Sequence, residues 1–406
     1  METNHLSPTS SKQRYLILDA LRGFALLFII LANFPEFGLW TFLSSAEQQA
    51  LPSAGIDRIV RFLQYVFIDG KGYGLFSLLF GCGFSIFVSR ACSKGNNGLK
   101  LFLRRMVILL GFALLHILFI WSGDILCLYA TMGMFLPLFY RCSDKTLLWW
   151  AAALLFLPVV TDFIQDLAGI SIAAPLEDAW WRKAHSYGIT EDNFATWLVD
   201  AKSYTEMFQF LMQGGIERMW EFVEGDRFTK VLGLFLLGFY LGRNKFYARI
   251  PEMKAQISKV CLYSGLLGIP ASLLYAWHST TGHPWGEGFH SLVYFLSVVP
   301  MTFFYLTGFC LLWSRNQHGM VYRLLAQPGR MAFTNYIGQS IIGVFIYYGI
   351  GLGLGLSMGL AEIEITALLV FILQILFSAC WLRYFRFGPL EWIWRMLTYG
   401  KWFPLT

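Results

Sequence analysis

Residues 15–35 read YLILDALRGFALLFIILANFP and are long and apolar enough to cross a lipid bilayer as one α-helix. A membrane-spanning helix needs about 20 predominantly apolar residues. Asp19 and Arg22 interrupt this run, whereas the core of a cleavable signal peptide is uninterrupted and is followed by a small-residue cleavage site. We therefore predict that the stretch remains in the protein as its first membrane span.

Similar stretches follow, and together they predict an all-α fold, a polytopic membrane helix bundle of about ten transmembrane helices. The 406-residue chain is 56% hydrophobic and 14% charged, against about 45–50% and about 25% in soluble domains. This composition excludes a soluble globule and a disordered chain. It also excludes a nucleic-acid-binding protein, because the net charge of +6 is spread among apolar runs. The predicted spans are approximately 15–35, 73–90, 101–121, 124–140, 146–161, 228–243, 258–277, 290–313, 331–352 and 363–383.

Lysine and arginine are concentrated in alternate loops, and such loops face the cytoplasm in membrane proteins. The intervening loop over residues 162–226 is acidic. We therefore predict a multi-pass protein of the bacterial inner (cytoplasmic) membrane with both termini in the cytoplasm. The basic segments are 12–14, 90–105, 141–145, 243–259, 315–330 and 383–401.

We expect a single membrane domain over residues 1–406, with residues 162–229 as an extracytoplasmic amphipathic insertion. Aromatic residues such as Trp180, Trp197 and Phe210 recur among its acids. This pattern is typical of helices that lie on the membrane interface. It is equally compatible with helices that cap the bundle.

Two further patterns concern the cysteines and the glycines. The seven cysteines lack C-x-x-C spacing and none lies in the acidic insertion, so we predict inert thiols and no cysteine metal site. Gly351, Gly355 and Gly359 recur every four residues, which predicts close packing between helices.

A charged residue near the centre of a membrane-spanning helix costs about 2.5–3.5 kcal/mol of insertion free energy. The charged residues within the first span therefore need an ionic partner or a function. Asp19 and Arg22 are three residues apart, on one helix face, and are able to pair. The pair could tie this helix to its neighbours. Alternatively, Arg14 and Arg22 could bind phosphate groups that enter from the cytoplasm.

His116 and Asp124 form the second ionisable group of interest. His116 lies well inside a predicted span, and Asp124 opens the next span after a Ser-Gly turn. A histidine that is oriented by a carboxylate is the usual arrangement for proton transfer. Hydrogen bonding within the bundle is the alternative, and we favour the functional interpretation.

The outer loops contribute two more sets of polar residues. Asn33 and Glu36 end the first span, near the start of the second. His278, His283, Glu287 and His290 come from another outer loop, and His283 and Glu287 are four residues apart, as metal ligands can be. Pro284 and Gly286 argue against a helix there, and no complete ligand set with known spacing exists. We therefore expect solvated loop residues and no metal.

A final set, Asn335, Gln339 and Gln374, predicts either interhelical hydrogen bonds or a polar cavity.

The chain resembles the YeiB-type family of bacterial membrane proteins, which has no settled activity. The resemblance covers almost the whole chain, and the C-terminal region over 330–401, with the last two helices and the tail, is its most specific part. The segments that carry it are 14–33, FSLLFGCG at 76–83, HILFIWSGDIL at 116–126, GRMAFTNY at 329–336 and RFGPLEWIWRMLTYGK at 386–401.

More remotely, DALRG at residues 19–23 is similar to the first-helix signature of transmembrane acyltransferases. These include bacterial sugar O-acyltransferases and heparan-alpha-glucosaminide N-acetyltransferase. The resemblance implies a bundle of ten or eleven helices that uses cytoplasmic acyl-CoA and an acceptor on the far side. The O-acyltransferases carry a histidine ten residues beyond the glycine of this motif, where this chain has Asn33. The base that this family would supply is therefore missing from its usual position.

These observations favour a transmembrane acyltransferase that moves an acyl group from cytoplasmic acyl-CoA to an envelope glycan or lipid acceptor. His116 would be the general base, oriented by Asp124, and Asn33 would stabilise the oxyanion. The alternatives are a transporter or lipid-handling protein with intramembrane charge pairs, and an inactive acyltransferase-fold scaffold. Expected partners are the lipid bilayer, the acceptor and a second copy of the chain, but not nucleic acid. The residues expected to bind acyl-CoA are Arg14, Asp19, Arg22, Arg104, Arg105, Arg330 and Asn335.

Overall fold

The computed structural model describes residues 15–406, so Arg14 lies outside the described residues. Within this range the chain folds into α-helices joined by loops and short 3₁₀ segments, with no β-strand. The helices, numbered in chain order, are α1 (Leu16–Phe37), α2 (Ser45–Ala50), α3 (Ala54–Phe67), α4 (Lys71–Ser93), α5 (Gly98–Phe119), α6 (Leu126–Gly133), α7 (Asp144–Ala168), α8 (Ala174–His185), α9 (Phe194–Asp200), α10 (Tyr204–Glu224), α11 (Arg227–Arg243), α12 (Lys254–Thr280), α13 (Gly286–Arg315), α14 (Met320–Arg330), α15 (Ala332–Tyr347), α16 (Leu360–Tyr384) and α17 (Pro389–Tyr399).

Seven segments of the described chain are long and apolar enough to cross a membrane, which confirms the predicted polytopic membrane helix bundle. Each overlaps a predicted span. The second segment begins earlier than predicted because the amphipathic helix α3 precedes α4. The segments are Leu16–Phe37, Ala54–Ser93, Gly98–Phe119, Asp144–Ala168, Lys254–Thr280, Gly286–Arg315 and Leu360–Tyr384.

The other predicted spans, 124–140, 228–243 and 331–352, fall on shorter helices. α6 has 8 residues and is followed by the 3₁₀ segment Leu136–Phe139. α11 has 17 residues and packs between α4 and α7. α15 has 16 residues and ends at Tyr347. α6 and α15 are shorter than the apolar runs that predicted them because tight turns within those runs end the helices early, whereas α11 covers the whole of its predicted run.

The glycines Gly351, Gly355 and Gly359 lie outside the helices, so the predicted stripe for helix packing is wrong. The chain folds back after α15, where the Gly351 N–H donates to the carbonyl of Tyr348 at 2.9 Å and the Gly355 N–H to that of Tyr347 at 2.8 Å. Glycine is a poor helix former, since it has the largest backbone entropy to lose on folding. The glycine run therefore ends α15 instead of extending it.

The amphipathic helix α14, which hydropathy does not reveal, crosses α1 at two glycines. A Cβ atom added at Gly23 would lie 1.8 Å from the carbonyl oxygen of Leu325, and one added at Gly329 would lie 1.8 Å from the carbonyl oxygen of Asp19. Small residues at such a crossing allow the two backbones to touch. Two of the segments that carry the family resemblance thus pack directly against each other.

We expect Gly329→Ala to destabilise the protein, because the added methyl group would overlap a backbone atom of α1. Overpacking of this kind costs about 1–3 kcal/mol and sometimes more. The measurement is the melting temperature of the purified protein in detergent. Gly111→Ala is the matched control, since a Cβ atom at Gly111 in α5 would meet nothing within 4 Å. Equal melting temperatures for the two variants would contradict the close crossing.

The acidic insertion caps one end of the bundle, and this decides between the two alternatives that the sequence left open. Trp180 of α8 and Phe210 of α10 are buried, and α10 packs against α5 and α11. We call this end the capped end. The opposite end, where Arg90, Arg105 and Arg395 converge on one cavity, is called the basic end. The basic end also holds both the start of α1 and α17.

Candidate functional site

A cavity of about 490 Å³ lies at the basic end, and we call it the basic cavity. It is bounded by α1, α4, α5, α6, α14, α15 and α17. Among the described residues, six cationic side chains line it, against the two carboxylates of Asp19 and Glu391. The cations are Arg22, Arg90, Lys94, Arg105, Arg330 and Arg395. The deeper wall is apolar and aromatic, with Leu26, Ile29, Tyr129, Phe333 and Tyr336.

Both carboxylates of the basic cavity are engaged by the protein itself. Asp19 Oδ1 lies 2.8 Å from a guanidinium nitrogen of Arg22, so the predicted pair forms. Glu391 accepts the backbone N–H groups of Phe333 at 2.8 Å and Thr334 at 3.1 Å, and so caps the start of α15. Burial raises the pKa of Glu391. Cations outnumber carboxylates six to two among the described residues of the lining, and this positive charge favours a ligand with phosphate or carboxylate groups.

Arg105 and Arg104 are neighbours in α5 but lie in different surroundings. The Arg105 guanidinium stacks on Trp394, 3.6 Å from the ring centroid, and the Trp394 indole N–H donates to the Arg105 carbonyl at 3.0 Å. Arg104 is exposed beside Gly400 and does not line the basic cavity. Successive residues point about 100° apart around a helix, since one turn holds 3.6 residues. This difference in direction accounts for the different surroundings of the two arginines.

The predicted ligand residue Asn335 lies outside the basic cavity, in the contact between α15 and α16. Its amide donates to Ser378 Oγ at 2.9 Å and to the carbonyl of Met331 at 3.0 Å. Gln339 and Gln374 are bonded to each other at 2.9 Å in the same contact. This is the interhelical hydrogen bonding that was one of the two predicted alternatives, and it leaves Asn335 no direct part in this cavity.

A second cavity of about 320 Å³ lies toward the capped end, and we call it the capped cavity. Asn33 lines it, together with the cations Arg227 and Lys230. Ile29 and Ile125 line both cavities, so the two spaces meet at a thin wall formed by these two side chains. Asn33 is one helical turn from Ile29, on the same face of α1, and is therefore placed beside this wall.

His116 and Asp124 form the predicted pair, with Nδ1 of the histidine 2.8 Å from Oδ2 of the carboxylate. Both side chains are almost fully buried, at 1% and 0% exposure. The second carboxylate oxygen accepts the Cys127 N–H at 2.7 Å. Nε2 of His116 is buried and has no hydrogen-bond partner in the described structure. A buried polar atom without a partner needs a specific explanation, and a catalytic role is one.

His116 does not line either cavity, and Tyr336 stands between it and the basic cavity. The two ring centroids are 5.5 Å apart. The Tyr336 hydroxyl accepts the N–H of Ile125, the wall residue, at 3.2 Å. Tyr336 thus links the histidine to the point where the cavities meet.

The acidic insertion also reaches this region through Arg218 of α10. Its guanidinium donates to the backbone carbonyl of Asp124 at 3.0 Å and to that of Gly123. It also pairs with Glu221. The insertion therefore holds the turn that places Asp124 against His116, which hydropathy alone could not indicate.

The three histidines from the outer loop are less exposed than expected. His278 belongs to α12 and is fully buried, so the prediction of a solvated loop residue is wrong for it. Glu287 is exposed, in agreement with that prediction. His283 and His290 are partly buried, and α13 begins at Gly286. The tight turn between α12 and α13 packs these side chains together.

Several cations that line the cavities are not among the ligand residues predicted from the sequence. Arg90 and Lys94 are one turn apart at the end of α4, a spacing visible in the sequence, but they served only to assign topology. Arg395 lies in the C-terminal region and reaches the same cavity. Arg227 and Lys230 lie at the start of α11, and nothing in hydropathy shows that they face the capped cavity.

The chain is similar to proteins whose activity is undescribed. Residues 241–401 match the family described as protein of unknown function, DUF418. YxaH of Bacillus subtilis is 30% identical, over 99% of this chain and 98% of its own length. An uncharacterized 39.9 kDa protein of Bacillus acidopullulyticus is 30% identical over 98% of both chains. YeiB of Escherichia coli is 27% identical over 95% of this chain and 96% of its own. No solved structure matches.

Proposed function

The chain belongs to the YeiB-type family of proteins of unknown function, and we propose that it is a transmembrane acyltransferase. The donor is acyl-CoA, which enters the basic cavity. The acceptor is an envelope glycan or lipid, which enters the capped cavity. We place the protein in the bacterial inner membrane with the basic end in the cytoplasm, because basic loops face that side.

The observation that carries this proposal is the arrangement of two cavities back to back across the wall of Ile29 and Ile125. The basic cavity combines a cationic rim with an apolar, aromatic depth. That combination suits a ligand with several phosphates at one end and an apolar chain at the other. The thioester of such a ligand would lie near the wall, within reach of an acceptor on the other side.

The reaction needs one proton transfer. The acceptor hydroxyl or amine attacks the thioester carbonyl carbon, a bond forms to the acceptor oxygen or nitrogen, and the carbon–sulfur bond breaks. His116 takes the acceptor proton on Nε2, and this proton then passes to the leaving thiolate of CoA. Asp124 holds the opposite nitrogen and favours the tautomer with a free Nε2. For this step Tyr336 must turn aside, because its ring separates the histidine from the basic cavity in which the thioester would lie.

Asn33 would stabilise the charge that develops on the carbonyl oxygen. This residue lines the capped cavity one turn from the wall. An amide donor at such a position contributes about 3–4 kcal/mol to the transition state in enzymes where it has been measured. Where the O-acyltransferases carry a histidine base, this chain then carries a hydrogen-bond donor.

Sealed membrane vesicles test the proposal, with radiolabelled acetyl-CoA and palmitoyl-CoA as donors. We expect inside-out vesicles to incorporate label into a glycan or lipid and right-side-out vesicles to incorporate almost none, because the added donor reaches only the cytoplasmic face. Vesicles from cells that lack the protein are the control. Label that enters from the opposite face, or incorporation independent of the protein, would contradict the proposal.

A lipid carrier is the second candidate function, since the capped cavity is lined by charges of both signs, among them Arg227, Lys230, Asp69 and Asp162. A single cysteine at Leu26, which lines the basic cavity and not the capped cavity, separates the two functions in a background without the native cysteines. A carrier exposes this position alternately, so the cysteine would react with impermeant reagents from both sides. A transferase keeps the wall in place, and the cysteine then reacts from the basic end only.

A further inference from the structure

Three histidines meet at the capped end, where α12 turns back into α13. His278 lies near the end of α12, His283 in the turn and His290 in the second turn of α13. One ligand atom from each lies within 4.8 Å of the others. The ring centroids of His283 and His290 are 4.0 Å apart, and those of His278 and His283 are 5.3 Å apart.

The imidazoles leave buried nitrogen atoms without partners. Nδ1 of His278 and Nδ1 of His290 are both buried and make no hydrogen bond within the described structure. The His278 side chain is fully enclosed, with 0% of the residue exposed. A buried polar atom without a partner is unfavourable, and two such atoms in one cluster point to a ligand.

The other ring nitrogens show how the cluster is held. Nδ1 of His283 lies 2.5 Å from a carboxylate oxygen of Glu287, which leaves its Nε2 available. Metal-binding histidines commonly use the second ring nitrogen in this way, on a carboxylate that fixes the tautomer. Nε2 of His278 accepts the Trp285 N–H at 3.3 Å. Coordination through Nδ1 of His278 moves its ring proton to Nε2 and breaks that long hydrogen bond.

We propose that His278, His283 and His290 bind a divalent transition metal of the zinc type, through one nitrogen each. Three protein nitrogens and one open position are the usual donor set of a reactive zinc site. Imidazole suits zinc, whereas calcium and magnesium prefer oxygen ligands. His290 and Glu287 also line the capped cavity. Because these two residues reach that cavity, an open position would be supplied from it with water or an oxygen atom of a ligand.

The turn allows the small contraction that a metal requires. Zinc bonds to imidazole nitrogen at about 2.0–2.1 Å, which places tetrahedral ligand atoms about 3.4 Å apart. His283 has a left-handed backbone (φ 53°) between Gly282 (φ 74°) and the more distant Gly286 (φ 82°). Pro284 follows it. This backbone turns the His283 side chain back over the end of α12, toward the other two rings.

Zinc titration of the purified full-length protein in nanodiscs tests this site, with a tag that contains no histidine. We expect binding of about one zinc per chain, and a cobalt complex with the strong visible absorption of a tetrahedral site. His283→Ala and His290→Ala are expected to weaken zinc binding more than about 100-fold. Glu287→Gln, which alters only the supporting carboxylate, is expected to weaken it about 10-fold.

His185→Ala is the matched control, because His185 is an exposed histidine of the same capped end, paired with Glu191. It should leave zinc binding unchanged. The melting temperature of each variant without metal shows whether it is folded. Absence of zinc binding in the folded wild-type protein would overturn the proposal. Retention of full affinity in the double variant H283A/H290A would overturn it as well, and neither outcome depends on acyl transfer.

Discussion

Arg105→Gln is expected to weaken acyl-CoA binding about 10- to 100-fold, while Arg104→Gln leaves it unchanged. Arg105 lines the basic cavity and is stacked on Trp394, whereas Arg104 is exposed outside it. Hydrogen bonds to charged groups contribute about 1.5–3 kcal/mol, and each 1.4 kcal/mol corresponds to about a tenfold change in Kd. Calorimetry of the protein in nanodiscs measures the binding of acetyl-CoA and longer acyl-CoAs.

The pair of arginines is a matched test, since each variant removes one positive charge from adjacent positions of α5. General attraction of an anion to the basic end would affect both variants alike. A shortened donor, acyl-pantetheine, separates recognition of the phosphates from other effects. If Arg105 binds phosphate, its replacement should not change the affinity for this donor.

Two results would contradict this assignment. One is an equal Kd for acyl-CoA in the wild-type protein and in Arg105→Gln, both folded by melting temperature. The other is an equal loss of affinity in both arginine variants, which would indicate a surface effect outside the cavity. Loss of the Trp394 contact on its own would lower the melting temperature and would weaken acyl-pantetheine binding as well.

The long helices were predictable from the sequence because the bilayer demands about 20 apolar residues in a row. The same criterion could not find α14, whose role depends on Gly329 touching the backbone of α1 at Asp19. It also misread the glycine run after Tyr347, because close helix packing and a fold-back both use glycine. Hydropathy reports the length of an apolar run and not the point at which a helix within it ends.

The candidate site was likewise predictable from the sequence only in part. The His116–Asp124 pair was predictable because a short turn brings the starts and ends of successive spans together. The convergence of Arg105 with Arg395, from helices α5 and α17, depends on packing between distant segments, which hydropathy and motif spacing do not show. Likewise, the burial of His278 follows from the packing of α12 against α13, which the Pro-Gly turn alone does not indicate.

His116→Ala is expected to lower acyl transfer about 100- to 10,000-fold, which is the contribution typical of a positioned general base. Acyl-CoA binding should not change, since His116 does not line the basic cavity. Asp124→Asn should lower the rate as well, because the carboxylate sets the tautomer that leaves Nε2 free to accept a proton. The measurement is the single-turnover rate of transfer, with the Kd for acyl-CoA determined on the same preparation.

A purely structural role of His116 predicts a different set of results. The buried pair of His116 and Asp124 holds α5 against the turn before α6, so its loss would lower stability and reduce the amount of folded protein. The rate per folded molecule would then remain near that of the wild type. Added imidazole distinguishes the two roles, because it can fill the space left in His116→Ala and accept the proton. Rescue of the rate by imidazole supports His116 as the general base. An unchanged rate per folded molecule would remove His116 from the mechanism and leave the wall between the cavities without its proton acceptor.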